Sequence, residues 1–184
     1  MDENQITDAQ LQENGWLLEC IPMEERTYEQ CKIAAGNARC RISFNQSILC
    51  EIPRQYRTPE ICMLAVRHNG QALWDVPEEL LTYELCMEAV KHYGEALGGV
   101  PRKLVDRAIC EAAVVENGRA LAYVPSDWIT EELAFSAVST APTALNYVPE
   151  RLKSVDLCIY AVLRDQRARL YVPDALMDRV CCGW

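Results

Sequence analysis

Residues 76–97 read VPEELLTYELCMEAVKHYGEAL, and nearly everything downstream of Pro53 is a variation on that stretch. A Val-Pro or Ile-Pro pair recurs with its proline at Pro53, Pro77, Pro101, Pro125, Pro149 and Pro173, a constant step of 24 residues. A fixed period of this length marks a repeat architecture. Within each repeat the fifth residue after the proline is Thr58, Thr82, Asp106, Thr130, Ser154 or Asp178. A short side-chain oxygen there can accept from the free N–H groups of a helix start. The helix that follows carries Ile61, Cys62, Ala65 and Val66 in one repeat and Leu85, Cys86, Ala89 and Val90 in the next. Such spacing puts all four on one helical face.

Gly70, Gly94 and Gly118 come about a turn later and read as left-handed helix stops. The rest of the repeat, Ala72-Leu73 or Ala96-Leu97 up to the next Val-Pro, fits short helical turns, with the proline suited to a first turn. No strand is required, so the expected fold is all-α. One repeat holds too few large apolar side chains to offset the entropy of ordering its backbone. Repeats must therefore stack, and the expected architecture is a right-handed-type helical solenoid.

The pattern predicts one domain over residues 1–184. Residues 1–21 form a degenerate N-terminal cap that keeps Gly15 in register, and residues 22–52 an irregular repeat headed by Pro22, with Thr27 as its helix cap. This repeat has seven extra residues within Gly36–Ser47, close to two helical turns, so a lengthened helix is expected. Residues 53–172 make five regular repeats, and residues 173–184 an incomplete one.

Composition narrows the function. A net charge of −9 argues against general affinity for nucleic acid or anionic membrane and leaves a protein with a basic face as the expected partner. There is no long apolar run for a membrane span, and MDENQITDAQ does not read as a secretory signal. The expected location is the cytoplasm, with signal-independent export open.

Of ten cysteines, Cys31, Cys62, Cys86, Cys110, Cys158 and Cys182 share the ninth place after their prolines. Stacked helices lie roughly 8–10 Å apart, beyond the reach of a disulfide. The column reads as a row of buried small side chains, with Ala134 as its sulfur-free member. Cys40 lies outside it, between Arg39 and Arg41, and flanking arginines can lower a thiol pKa. It reads either as a reactive thiol or as a cysteine on a lengthened helix. His68 and His92 occupy equivalent places in adjacent repeats, with Glu88 nearby, and suit helix C-termini better than a metal. Glu84 and Glu88 share a helix face, as acids on a solvated surface do. No constellation for hydrolytic chemistry stands out, and no cofactor or metal is expected.

Binding surface is the stronger reading. The residues two and three before each proline vary while the frame holds, and they include Trp74, Tyr123, Tyr147 and Tyr171. Aromatic residues dominate interface hot spots, so these four are candidate binding residues, with Arg39, Arg41 and Asn45 in the irregular segment. Packing between repeats is the competing role for the tyrosines.

The elements V-P-E-E-L-x-T-x-E-L-C-x-x-A-V-x-x-x-G-x-A-L together resemble a family of short bacterial helical repeats of unknown function. The resemblance covers roughly Pro22 to Trp184 and departs at the insertion, at Pro142 and Gln166 in place of the glycine, and in the last repeat. It implies a bacterial or bacterium-associated helical-repeat protein and carries over no catalytic residue. The expected function is non-enzymatic protein binding, as an adaptor, inhibitor, immunity or effector protein. The alternative is a cysteine-based enzyme or redox-responsive protein centred on Cys40.

Overall fold

The computed structural model describes residues 6–38 and 47–181, the side chain of Cys181 excepted. Among the described residues all regular structure is helical, as expected. The α-helices are α1 (Asp8–Glu13), α2 (Tyr28–Asn37), α3 (Pro59–His68), α4 (Tyr83–His92), α5 (Arg107–Glu116), α6 (Glu131–Thr140), α7 (Val155–Arg164) and α8 (Asp174–Cys181). Between consecutive regular α-helices run a six-residue 3-10 segment, such as Gly70–Asp75, and a three-residue one just past the proline, such as Glu78–Leu80.

The chain divides into two compact units, Met1–Leu104 and Val105–Trp184. In the first, α1 packs on α2, α2 on α3 and α3 on α4, while the 3-10 segments pack each on the next along a parallel row. In the second, α5, α6, α7 and α8 follow the same rule, beside a row made of Gly118–Tyr123, Pro142–Tyr147 and Gln166–Tyr171. Order in the sequence is order in the packing. That follows from a repeat whose apolar face is too small to be buried by anything but its neighbour.

The helix starts are where the cap residues place them. Side-chain oxygens of Thr27, Thr58, Thr82, Asp106, Thr130 and Ser154 accept from the backbone N–H three residues on, at 2.9–3.4 Å. The face behind each cap is closed: Ile61, Cys62, Ala65 and Val66, and their equivalents through Val162, are all buried.

Three expectations are corrected. The glycines are not left-handed stops, since no described residue has positive φ. Each instead opens a 3-10 segment, and Gly70 and Gly118 face the helix of the following repeat. A Cβ on Gly70 would stand 2.5 Å from the carbonyl oxygen of Ala89, and one on Gly15 or Gly118 would overlap the carbonyls of Ala34 or Ala137. Glycine is required because the backbones touch. Second, α2 is ten residues long like α3 to α7 and is not lengthened. The extra residues come after it, where Ala38 has already left helical geometry. Third, Asp178 caps no helix: α8 begins directly after Pro173, with Asp174 in its first turn, where the helix dipole favours a carboxylate.

A further link between repeats lies four residues after the proline. Arg26, which is buried, donates from Nε to the carbonyl of Ile21, just before its repeat, at 2.8 Å and from Nη1 to the carbonyl of Glu51 at the far end of its own repeat. Arg57 does the same, to Ile52 at 3.0 Å and Asp75 at 3.1 Å, and Lys153 Nζ reaches the carbonyl of Tyr171 at 3.0 Å. A cation here satisfies carbonyls at the end of a 3-10 segment that have no partner within it. Leu81, Val105 and Ile129 hold the same place without charge.

Gly118→Ala should cost about 1–3 kcal/mol in urea denaturation followed by far-UV circular dichroism, because the new methyl overpacks a backbone contact. Gly36→Ala, whose Cβ would meet nothing within 4 Å on α2, should instead gain about 0.5–1 kcal/mol from reduced chain entropy.

Candidate functional site

The row of 3-10 segments carries the aromatic residues singled out from the sequence. In the second unit Tyr123 and Tyr147 are 48% and 38% exposed, on segments that pack against each other. Tyr171 is more covered, and its carbonyl is the one that Lys153 holds. In the first unit Trp74 is half exposed and meets Tyr93 edge-on, with ring centroids 5.8 Å apart. Its indole lies over Gly99, where a Cβ would stand 3.0 Å from the ring. Arg39, Cys40, Arg41 and Asn45 lie outside the described residues.

The cysteine column is buried at Cys31, Cys62, Cys86, Cys110 and Cys158, and these are free thiols. Burial pushes the thiol of Cys86 from its ordinary 9.0 up to about 11. Cys31 and Cys62 are also pushed up to about 11 by burial, against the opposing charges of Arg26 and Arg57, and Cys110 likewise, reinforced by Asp106 and Glu111. Such thiols are poor nucleophiles at neutral pH. Cys20 and Cys50 are the exposed cysteines among the described residues. Cys182 lies outside them.

His68 and His92 are exposed at the ends of α3 and α4. Glu88 is engaged by Arg67 Nε at 3.2 Å and lies 3.6 Å from His92 Nε2. No group of three or more potential metal ligands occurs among the described residues, and no helix there is long and apolar enough to cross a membrane.

A well-formed concavity that the sequence reading did not single out is a groove in the second unit. It has a volume of about 670 Å³ and is lined by residues of α6 and α7, with Leu152 and Ser154 from the turn between them. Phe135, 49% exposed, and Tyr160 pack on one another in its lining with centroids 4.9 Å apart and planes tilted by 34°. Leu152 and Leu157 complete the apolar surface, and Glu131, Glu132 and Asp156 line it from the first turns of α6 and α7. No described cation pairs with these three carboxylates.

Tyr160 is fixed from both sides. Arg164 Nη1 donates to its hydroxyl at 2.9 Å, and the guanidinium stands 5.5 Å from the ring centroid. The hydroxyl of Ser139 and this guanidinium hold the phenol below its usual pKa range.

Between α5 and α6 the equivalent recess is only about 40 Å³, and the glycine contact bears on the difference. Gly118 lets Ala137 of α6 approach the backbone, whereas the corresponding place in the next repeat holds Pro142. α7 lies less closely against α6, and against the 3-10 segment headed by Pro142, than α6 lies against its own predecessors. The visible sequence signal was Pro142 in the glycine column, together with aromatic residues at outward helix positions.

The chain matches no protein-family model, no curated protein and no solved structure.

The thiol shifts have a direction that stability can report. The folded value is above the unfolded one, so the contribution of the protonated thiols is complete below pH 9 and is lost as pH rises towards 11. Wild type should lose more stability than Cys86→Ala between pH 8.5 and 11, by on the order of 2 kcal/mol in urea midpoints converted to free energy.

Proposed function

We propose that this chain is a protein-binding repeat protein in which, within each compact unit, the repeats stack as a helical solenoid. The observation that carries the reading is the α6–α7 groove. Phe135, Tyr160 and Leu152 are left accessible there over the buried Leu157, in a concavity of about 670 Å³. Keeping large apolar side chains in water costs free energy that a bound segment recovers.

The packing rule supports the reading. Because each repeat contacts its neighbours, a substitution at one junction changes local surface without disturbing the frame elsewhere. Pro142 is such a substitution. The exposed tyrosines of the neighbouring 3-10 row, Tyr123 and Tyr147, add aromatic surface of the kind enriched at interfaces. The buried, high-pKa thiols of the column take the role of small core residues and leave binding to the surface.

Replacing Phe135 by the photoreactive benzoylphenylalanine in cells that produce the protein should yield covalent adducts with one or a few proteins. The same residue placed at Val115, an exposed apolar site on α5, should not. Adducts at 135 should be competed by excess wild-type protein and much less by Phe135→Ala. Indistinguishable adducts from the two positions would count against the reading.

A further inference from the structure

We infer that the α6–α7 groove takes a cationic and apolar segment of a partner protein, one in which an arginine or lysine precedes a leucine or aromatic residue by about one helical turn. This assignment rests on the protein-binding reading above and specifies the chemistry of the partner at that site.

The argument starts from a spacing that occurs on both walls. On α6 the carboxylate of Glu131 lies four residues before Phe135, and on α7 that of Asp156 lies four residues before Tyr160. Four residues of α-helix rise roughly 6 Å. Each wall thus presents a negative group and, one turn further along, an aromatic face. Glu132 adds a third carboxylate at the acidic end. The other end is basic, because Arg164 is held against Tyr160. The groove is polarised along its length, so a segment carrying cation then apolar group matches it in one direction.

Charge decides between occupants. The three carboxylates have no cationic partner among the described residues, although other exposed acids of this chain do, such as Glu60 with Lys32 and Asp165 with Arg167. An acidic or purely apolar occupant would have to bring its own surface against three unneutralised negative charges beside a low-dielectric aromatic floor. Like charges so placed repel and cost affinity. A guanidinium or ammonium is attracted to those carboxylates and also to the face of Phe135, against which no described cation stands in the way Arg164 stands against Tyr160. The overall charge of −9 draws the same class of partner from a distance.

A helical partner suits the site best. Two adjacent helices leave a trough of the kind an amphipathic helix lays its apolar face into. The volume, about 670 Å³, accommodates a few side chains and not a whole domain, so the expected binding is of a short segment with modest affinity.

The test uses the full chain and two fluorescein-labelled helical peptides of about four turns. They share one leucine and alanine pattern, and one carries lysine and arginine where the other carries glutamate. By fluorescence anisotropy at low salt the basic peptide should bind about tenfold or more tightly than the acidic one. Its affinity should fall severalfold when salt is raised into the range where the Debye length is about 8 Å. Phe135→Ala should weaken the basic peptide about fivefold or more, as loss of an aromatic anchor does. Glu131→Gln with Glu132→Gln and Asp156→Asn should remove both the preference and the salt dependence. Val115→Ser, away from the groove, should change nothing, and circular dichroism of each variant checks folding. Binding of both peptides within twofold of each other, with loss in Phe135→Ala, would overturn the charge assignment while leaving protein binding at the groove intact. Binding that is indifferent to Phe135→Ala, or no binding of either peptide, would overturn this assignment, and the photochemical adducts at position 135 decide the broader reading separately.

Discussion

Backbone contact between consecutive repeats is the constraint on which the rest depends. At Gly15, Gly70 and Gly118 the first residue of a 3-10 segment meets the carbonyl of an alanine on the following helix so closely that no Cβ fits between them. Helices held this near can bury only a thin layer. That accounts for a helix face built from alanine, valine and cysteine, with one leucine or isoleucine per helix from α3 to α7. The cysteines belong to the same logic: a thiol is a small apolar filler, burial drives its pKa up, and Ala134 serves equally well in the fourth regular repeat.

Where the constraint is relaxed, surface appears. Pro142 breaks the glycine column, the following helix stands further off, and Phe135 and Tyr160 line the space that results. A repeat protein can acquire a local groove in this way at little cost to the other repeats, since each junction is stabilised chiefly by its own neighbours. The carboxylates at the rim are there first for the helix dipole, which favours acids in the opening turn. In the groove the same side chains acquire a second consequence, a negative field at one end of an apolar trough.

The cations four residues after the proline connect repeats in a different manner. Arg26, Arg57 and Lys153 each reach a carbonyl at the far end of the same repeat, using backbone acceptors that a short 3-10 segment cannot satisfy itself. Where Leu81, Val105 or Ile129 replaces them the place carries no cation to reach those acceptors, so charge at this place is one solution among two. These links were countable in the sequence by the same arithmetic that found the caps. They went unread because a lone basic residue in a variable turn looks like solvated surface until its acceptors are known.

The sequence by itself determined the periodic part of this protein. The helix starts at Thr58, Thr82, Asp106, Thr130 and Ser154, the buried four-residue face and the absence of strands all follow from local chemistry: a cap oxygen accepts from a residue three places on, and a helical face repeats every few residues. Tertiary structure decided what each repeat does to its neighbour. The glycines read as helix stops because a left-handed turn is their commonest local use, whereas their reason here is an alanine carbonyl 19 residues further along the chain, as from Gly70 to Ala89. The groove was hidden for the same cause. Phe135 and Tyr160 lie in different repeats and at different places within them, and nothing in the local pattern of either tells that Pro142 has set their helices apart.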